Sequence, residues 1–387
     1  MRVLIVLGLV LFAALPLLPA EEGKPGKLRV YVGTYTGKSS SGHRSEGIYR
    51  MDLDLATGQL SEPTLAGKAV NPSFLAIHPT GKYLYACGEV ATFAGKKGVG
   101  SISAFAIDDK GDLVPLNQQS SEGAGPCHVV LDTAGRYAFC ANSGGGSAAA
   151  LPIGPDGKLG KATGFVQHRG SSVNKARQAG PHAHSINLDA ANKYAFVADL
   201  GLDKVLIYKF DGDKGTLTPN DPADVRLAPG AGPRHFAFHP NGKNAYVINE
   251  MDMTVSAMAY DPATGKLEVI QTVPTKDRVE KGDSTAEVVV HPSGKFVYGS
   301  NRGDNRIAVF RCDPATGKLT PAGHQGQGVK TPRNFALDPT GAYCLVANQD
   351  GDSVVVFKVN PETGALEPTD HKAQVASPVC VRMMSVR

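Results

Sequence analysis

Short apolar or alternating runs and polar turns succeed one another along this chain. The stretch SVVVFKVNPETGAL (353–366) is representative: a strand pattern, an Asn/Pro/Gly turn, and the start of another strand. The Gly-x-Leu that ends it occurs seven times, between Gly58 and Leu366, and its leucines lie 53, 46, 58, 50, 52 and 47 residues apart. Between these copies come six of a hairpin, including GPCHVVLDTAGRYAFCANS (125–143), GPHAHSINLDAANKYAFVADL (180–200) and GPRHFAFHPNGKNAYVINE (232–250). A seventh hairpin is present in halves: SPVCV (377–381) matches its first strand and RVYVGTY (29–35) its second. A fixed period of this length marks a repeat architecture. Seven four-stranded units, the last assembled from both chain ends, predict an all-β seven-bladed β-propeller over residues 27–387, whose closure removes long free strand edges.

Composition agrees and narrows the picture. By length alone, 387 residues suggest two or three domains; the repeat count replaces them with one ring. Glycine (45) and proline (26) total 71 residues, as frequent turns demand. A hydrophobic fraction of 42% supplies a core and excludes disorder. The formal charge of +4 is too small to mark a nucleic-acid or membrane partner, and none is expected. The absence of tryptophan removes the WD40 signature but not propellers in general.

The N-terminus reads as an export signal: Arg2, then an apolar run from Val3 to Leu18, then Pro19 and Ala20. At 16 residues the run is short for a membrane span. Residues 1–20 are expected to be removed, leaving a charged leader (21–26) and an exported, periplasmic or secreted monomer. Losing Arg2 leaves 39 basic and 36 acidic side chains, a charge of +3. The six cysteines have no CxxC spacing, so zinc is not expected, and buried unpaired thiols are. Phosphate-cradling glycine loops and nucleophile elbows are absent too, so no cofactor is expected.

Aligning the hairpins on their turn residue places positions equally distant from it near one another, at the end away from the turn. Eight residues before the turn stand Ser73, Cys127, His184, Arg234, Ala286 and Arg333; eight after stand Glu89, Ser143, Leu200, Glu250, Arg302 and Gln349. Both columns fall at one mouth of the central channel. The third to sixth hairpins supply nearly all the chemistry there: His184, Arg234 with Glu250, Arg302, and Arg333 with Gln349. So many guanidinium groups around a channel point to an anionic ligand. Loops at the same mouth add Lys96, Lys97, Arg169, Lys175 and Arg177. His182 and His235 also lie near it, although His128 and His235 have the strand parity opposite to His184 and Arg234. Asn142, Asp199, Asn249, Asn301 and Asn348 recur seven after the turn and read as backbone caps. His78, His239 and His291 read as turn stabilisers.

In GAGPRHFAFHPNGKNAYVINE (230–250) and YVGTYTG (31–37) the chain resembles the lactonase seven-bladed propeller family, which includes 6-phosphogluconolactonases and fungal carboxymuconate cyclases. The resemblance implies a catalytic set of His184, Arg234, Glu250 and Arg302, with Arg333 as a further recurrent arginine. Gln349, His182 and His235 are candidates for substrate binding. The expected reaction is metal-independent hydrolysis of a sugar-type, anionic lactone, with Glu250 or His184 as general base, Arg234 on the oxyanion, and Arg302 and Arg333 on a carboxylate or phosphate. A muconate-type lactonising cyclase would use the same arginines, and a non-catalytic binding propeller would need none of them. The export signal departs from a cytosolic phosphorylated substrate, so the family name need not give the natural one.

Overall fold

The computed structural model describes residues 26–386, so the export signal and all but the last leader residue lie outside the described part. Seven four-stranded antiparallel sheets form, each wholly antiparallel and ordered from the channel outward. Blades one to six begin at Leu75, Pro126, Ala183, Pro233, Ser284 and Pro332. In blade seven the innermost strand, Pro378–Ser385, pairs with Lys27–Thr34, which leads outward to Gly47–Asp54 and Thr64–Lys68. Both chain ends therefore close one sheet, as the split hairpin predicts. Two small ribbons, 37–38 with 44–45 and 92–93 with 96–97, are additions to the loops. Among the described residues no helix is long and apolar enough to cross a membrane.

The Gly-x-Leu motif has a physical cause. All seven glycines have positive φ, between 68° and 84°, which an L side chain rarely adopts. Four of their carbonyls then receive a tyrosine hydroxyl from the preceding blade: Tyr31 to Gly111 at 2.8 Å, Tyr85 to Gly157 at 2.9 Å, Tyr246 to Gly317 at 2.9 Å and Tyr298 to Gly364 at 2.8 Å. Leu113, Leu159, Leu217, Leu267, Leu319 and Leu366 are buried two residues on. One tripeptide thus turns the chain, anchors a strand and ties neighbouring blades. Between the sheets lie apolar layers such as Phe196 stacked on Phe236, with ring centroids 5.6 Å apart.

The turn and cap residues do what their positions suggest, except Asn249, whose Nδ2 donates to the hydroxyls of Thr254 and Ser256 rather than to backbone. Asp132, Asp189 and Asp338 accept the amides of Tyr137, Tyr194 and Tyr343 across their turns. His78, His239 and His291 do more: each uses Nε2 to hydrogen-bond the turn carbonyl of the next blade, at Gly135, Gly294 and Gly341. Asn142, Asn301 and Asn348 donate to loop carbonyls of Ser121, Thr275 and Gly328. All six cysteines are buried and unpaired.

A β-bulge at the mouth end of the innermost strands decides the layout of the channel. In blade four Pro233 pairs with Asn249 and His235 with Ile248, leaving Arg234 as the extra residue. The same shift isolates Cys127, His184 and Arg333, and in blade five it spans Ala286 and Glu287. A bulge suspends the two-residue alternation. The parity argument that set His128 and His235 apart therefore fails: both lie inside the channel, one layer below His184 and Arg234. Arg234 and Glu250 are not directly opposed either, since Glu250 follows the paired strand and reaches back through its side chain.

Candidate active site

Glu250 sits at the centre of a cationic cluster. Its Oε2 accepts from Arg234 Nε at 2.9 Å and lies 3.0 Å from an Arg302 guanidinium nitrogen, while Oε1 accepts from Arg177 at 2.6 Å. Burial alone would raise its pKa, but Arg302, Arg234 and Arg177 outweigh that and hold the carboxyl at about 2. The same packing acts on the arginines. Burial and the repulsion of Arg234 push Arg302 down to about 9, still charged at neutral pH. Arg234, only 2% exposed, is also lowered by burial and by Arg333, and is steadied by the Ala286 carbonyl at 2.7 Å.

Arg333 lies 5.1 Å over the Tyr35 ring, and the Tyr35 hydroxyl in turn donates to Glu89. The Arg333 guanidinium itself has no ion pair among the described residues. His184 stands between these groups. Burial, then Arg234, holds its imidazole well below the usual histidine range, so it is neutral at pH 7. Its Nδ1 lies 3.7 Å from Cys127 Sγ, and its Nε2 makes no hydrogen bond among the described residues. Burial pushes the Cys127 thiol up to about 12, so it is not a thiolate nucleophile.

Ser73, Phe74, Glu89, Cys127, His184, Arg234, His235, Arg333 and Val379 line the narrow neck of the channel. Larger surface clefts occur, such as one of about 310 Å³ beside Arg29, Asp108 and Met384, but that one lies at the opposite face, where the hairpin turns gather. Most of the residues singled out from the sequence therefore meet: His184, Arg234, Glu250, Arg302 and Arg333. His235 joins them from the layer below. His182 is half-buried with Nδ1 on the Ser143 carbonyl, and Gln349 turns to Asp350; neither lines the neck. Lys96 and Lys97 stay exposed on their ribbon. Two contributors were not singled out as site residues: Arg177, expected only as one basic loop residue among several, and Glu287, hidden because its neighbour Ala286 occupied the column.

The fold and this site define a seven-bladed propeller with a polar, arginine-rich channel mouth. The family profile described as lactonase, 7-bladed beta-propeller, matches residues 29–383, and the chain belongs to that family. It is 36% identical over 310 residues to the 6-phosphogluconolactonase of Bacillus subtilis, covering 80% of this chain and 84% of that one. Among solved structures, a putative 6-phosphogluconolactonase from Bacteroides fragilis is similar with a TM-score of 0.84 and 36% identity, covering 95% of this chain and all (100%) of the other. The periplasmic gluconolactonase of Pseudomonas aeruginosa is similar with a TM-score of 0.84 and 32% identity, over 94% and 100% of the two chains.

Proposed function

We propose that this protein hydrolyses an acidic sugar lactone without a metal ion, and that it works outside the cytosol. The observation that carries the reading is the convergence of four guanidinium groups, Arg177, Arg234, Arg302 and Arg333, on a mouth whose carboxylates are Glu250 and Glu89, with Glu287 in the layer below paired to His235. That surplus of positive charge suits the substrate anion, the oxyanion formed on attack, and the carboxylate product. It also disfavours a bound cation. Family membership supports lactone chemistry, and the apolar N-terminal run and the periplasmic Pseudomonas relative support export.

Within this reading Glu250 is an organiser of arginines rather than the base. Both its oxygens are engaged and its basicity is low. Arg234 and Arg302 stabilise the tetrahedral oxyanion, and Arg333, without an ion-pair partner among the described residues, holds the anionic substituent. His184, neutral and with Nε2 unengaged, receives the attacking water. The test is a panel of gluconolactone and acidic sugar lactones, read by release of acid, with wild type, Glu250→Gln and His184→Ala. We expect turnover in wild type and losses on the order of 10² or more in each variant. Full activity in both variants would remove the assignment.

A further inference from the structure

Below the arginines lies a buried carboxylate–imidazole pair that the mechanism above does not use. His235 Nδ1 is 2.8 Å from Glu287 Oε1, and both side chains are nearly inaccessible, at 4% and 9% exposure. Burial opposes the Glu287 charge, but His235 and the nearby Arg382 overcome it and keep the carboxyl ionised. An ionised carboxylate only accepts, so the hydrogen must sit on His235 Nδ1, and the lone pair of the neutral ring lies on Nε2. Glu287 is itself fixed by its contact with Asn334 Nδ2 and by the Val288 amide at 3.0 Å, and Asn334 Oδ1 accepts the Val381 amide at 2.8 Å. Blades four, five, six and seven thus hold one ring in one orientation.

His235 Nε2 is buried and makes no hydrogen bond among the described residues, and neither does Ser73 Oγ; both residues line the neck. The neck has about 10 Å³ of space for a water's centre, on the scale of a single water. The His184 ring is 5.4 Å from that of His235, centre to centre. A comparable pair, His168 with Asp199, is equally buried but borders no neck, and its ring stacks on Tyr208 instead. Position, not the pair alone, distinguishes His235.

We propose that His235, oriented by Glu287, is the proton acceptor of this site. The proposal rests on the hydrolytic reading and goes beyond it by naming the base. The water held near His184 attacks the lactone carbonyl; its O–H bond breaks, the proton passes to His235 Nε2, and the carbonyl electron pair moves to the oxygen facing the arginines. Glu287 offsets the imidazolium that forms. When the ring C–O bond breaks, its electron pair goes to the ring oxygen, which takes the proton back from His235. One water is consumed and a hydroxy acid leaves. The charged or titratable groups facing His235 are Glu287, His128, His184, Arg234 and Arg382. Burial, with Arg234 and Arg382, holds its imidazole below the usual histidine range, so the ring starts neutral, and Glu287 offsets part of that lowering.

The experiment measures kcat and KM against pH for wild type, His235→Gln, Glu287→Gln and Glu287→Asp, with ring-nitrogen NMR of wild type alongside. His235→Gln should lose on the order of 10² to 10⁴ in kcat and little in KM, because the arginines remain. Glu287→Gln should lose about tenfold or more and move the acid limb of kcat to lower pH, and Glu287→Asp should restore much of both. NMR should find His235 protonated on Nδ1 near neutral pH. Full kcat in His235→Gln, an unmoved limb in Glu287→Gln, or an Nε2-protonated ring would each overturn the proposal. Wild type that turns over no lactone, with His235 in the expected tautomer, would instead sink the hydrolytic reading. The NMR arm needs no variant, so misfolding of a substituted protein does not decide the matter.

Discussion

Glu250 behaves as an acid held ionised by its neighbours, and this gives the protein a specific response to pH. Its carboxyl is depressed from 4.5 to about 2 by Arg302, Arg234 and Arg177 against the cost of burial. A depressed folded-state pKa contributes stability that is fully present above the unfolded value and lost as pH falls through the folded one. Melting temperatures of wild type and Glu250→Gln should therefore differ most above pH 5 and converge toward pH 2. A gap that stays constant over that range would show that the arginines do not depend on this charge. At this scale the sequence was informative because repetition aligns side chains: His184, Arg234, Glu250, Arg302 and Arg333 stand in columns that the hairpin turns define. Arg177 could not be read that way, since it lies on a loop outside the repeat, and nothing in its surroundings fixes where the loop travels.

Among the elements, the tight turns and the mouth bulges divide the work between stability and chemistry. Gly157 shows the first part: its φ is 77°, and a Cβ there would come within 2.3 Å of the Tyr83 ring. Gly157→Ala should cost roughly 1 to 3 kcal/mol from backbone strain and displacement of the ring. Urea denaturation reads this directly, and a change of only a few tenths would mean that the turn relaxes freely. The bulges show the second part. By isolating Arg234 and admitting His235 to the channel, one extra residue makes two successive side chains available from a strand that would ordinarily offer one. Alternation alone therefore counted against His235, a binding candidate only for its nearness to the mouth, and it concealed Glu287 altogether.

For the whole molecule, closure is the dominant constraint. Lys27–Thr34 pairs along its length with Pro378–Ser385, and this inner strand also supplies Val379 to the neck and Arg382 over the Phe74 ring at 4.4 Å. Deleting residues 377–387 would leave blade seven without its innermost strand, exposing the paired edge of Lys27–Thr34 and opening the ring between its neighbouring blades. The truncated chain should lose its cooperative melt and form higher-order species in size-exclusion chromatography. A truncated monomer melting like wild type would show that the other six blades hold the ring unaided. The same closure explains why a modest net charge hides a strongly cationic mouth: radial repetition gathers Arg234, Arg302 and Arg333 at one end of the channel, and a loop adds Arg177.

The sequence by itself determined the number of blades, the split of the last one, and most of the arginine cluster, because each follows from a repeat that aligns with itself. It also determined the turn residues, whose glycines are required by a backbone conformation that other side chains resist. The tertiary structure alone decided which neighbour each charge meets. Arg177 reaches Glu250 across a loop, and Glu287 reaches His235 across adjoining blades. Those contacts depend on the bulges and on ring closure, which set distances between segments that no local spacing encodes.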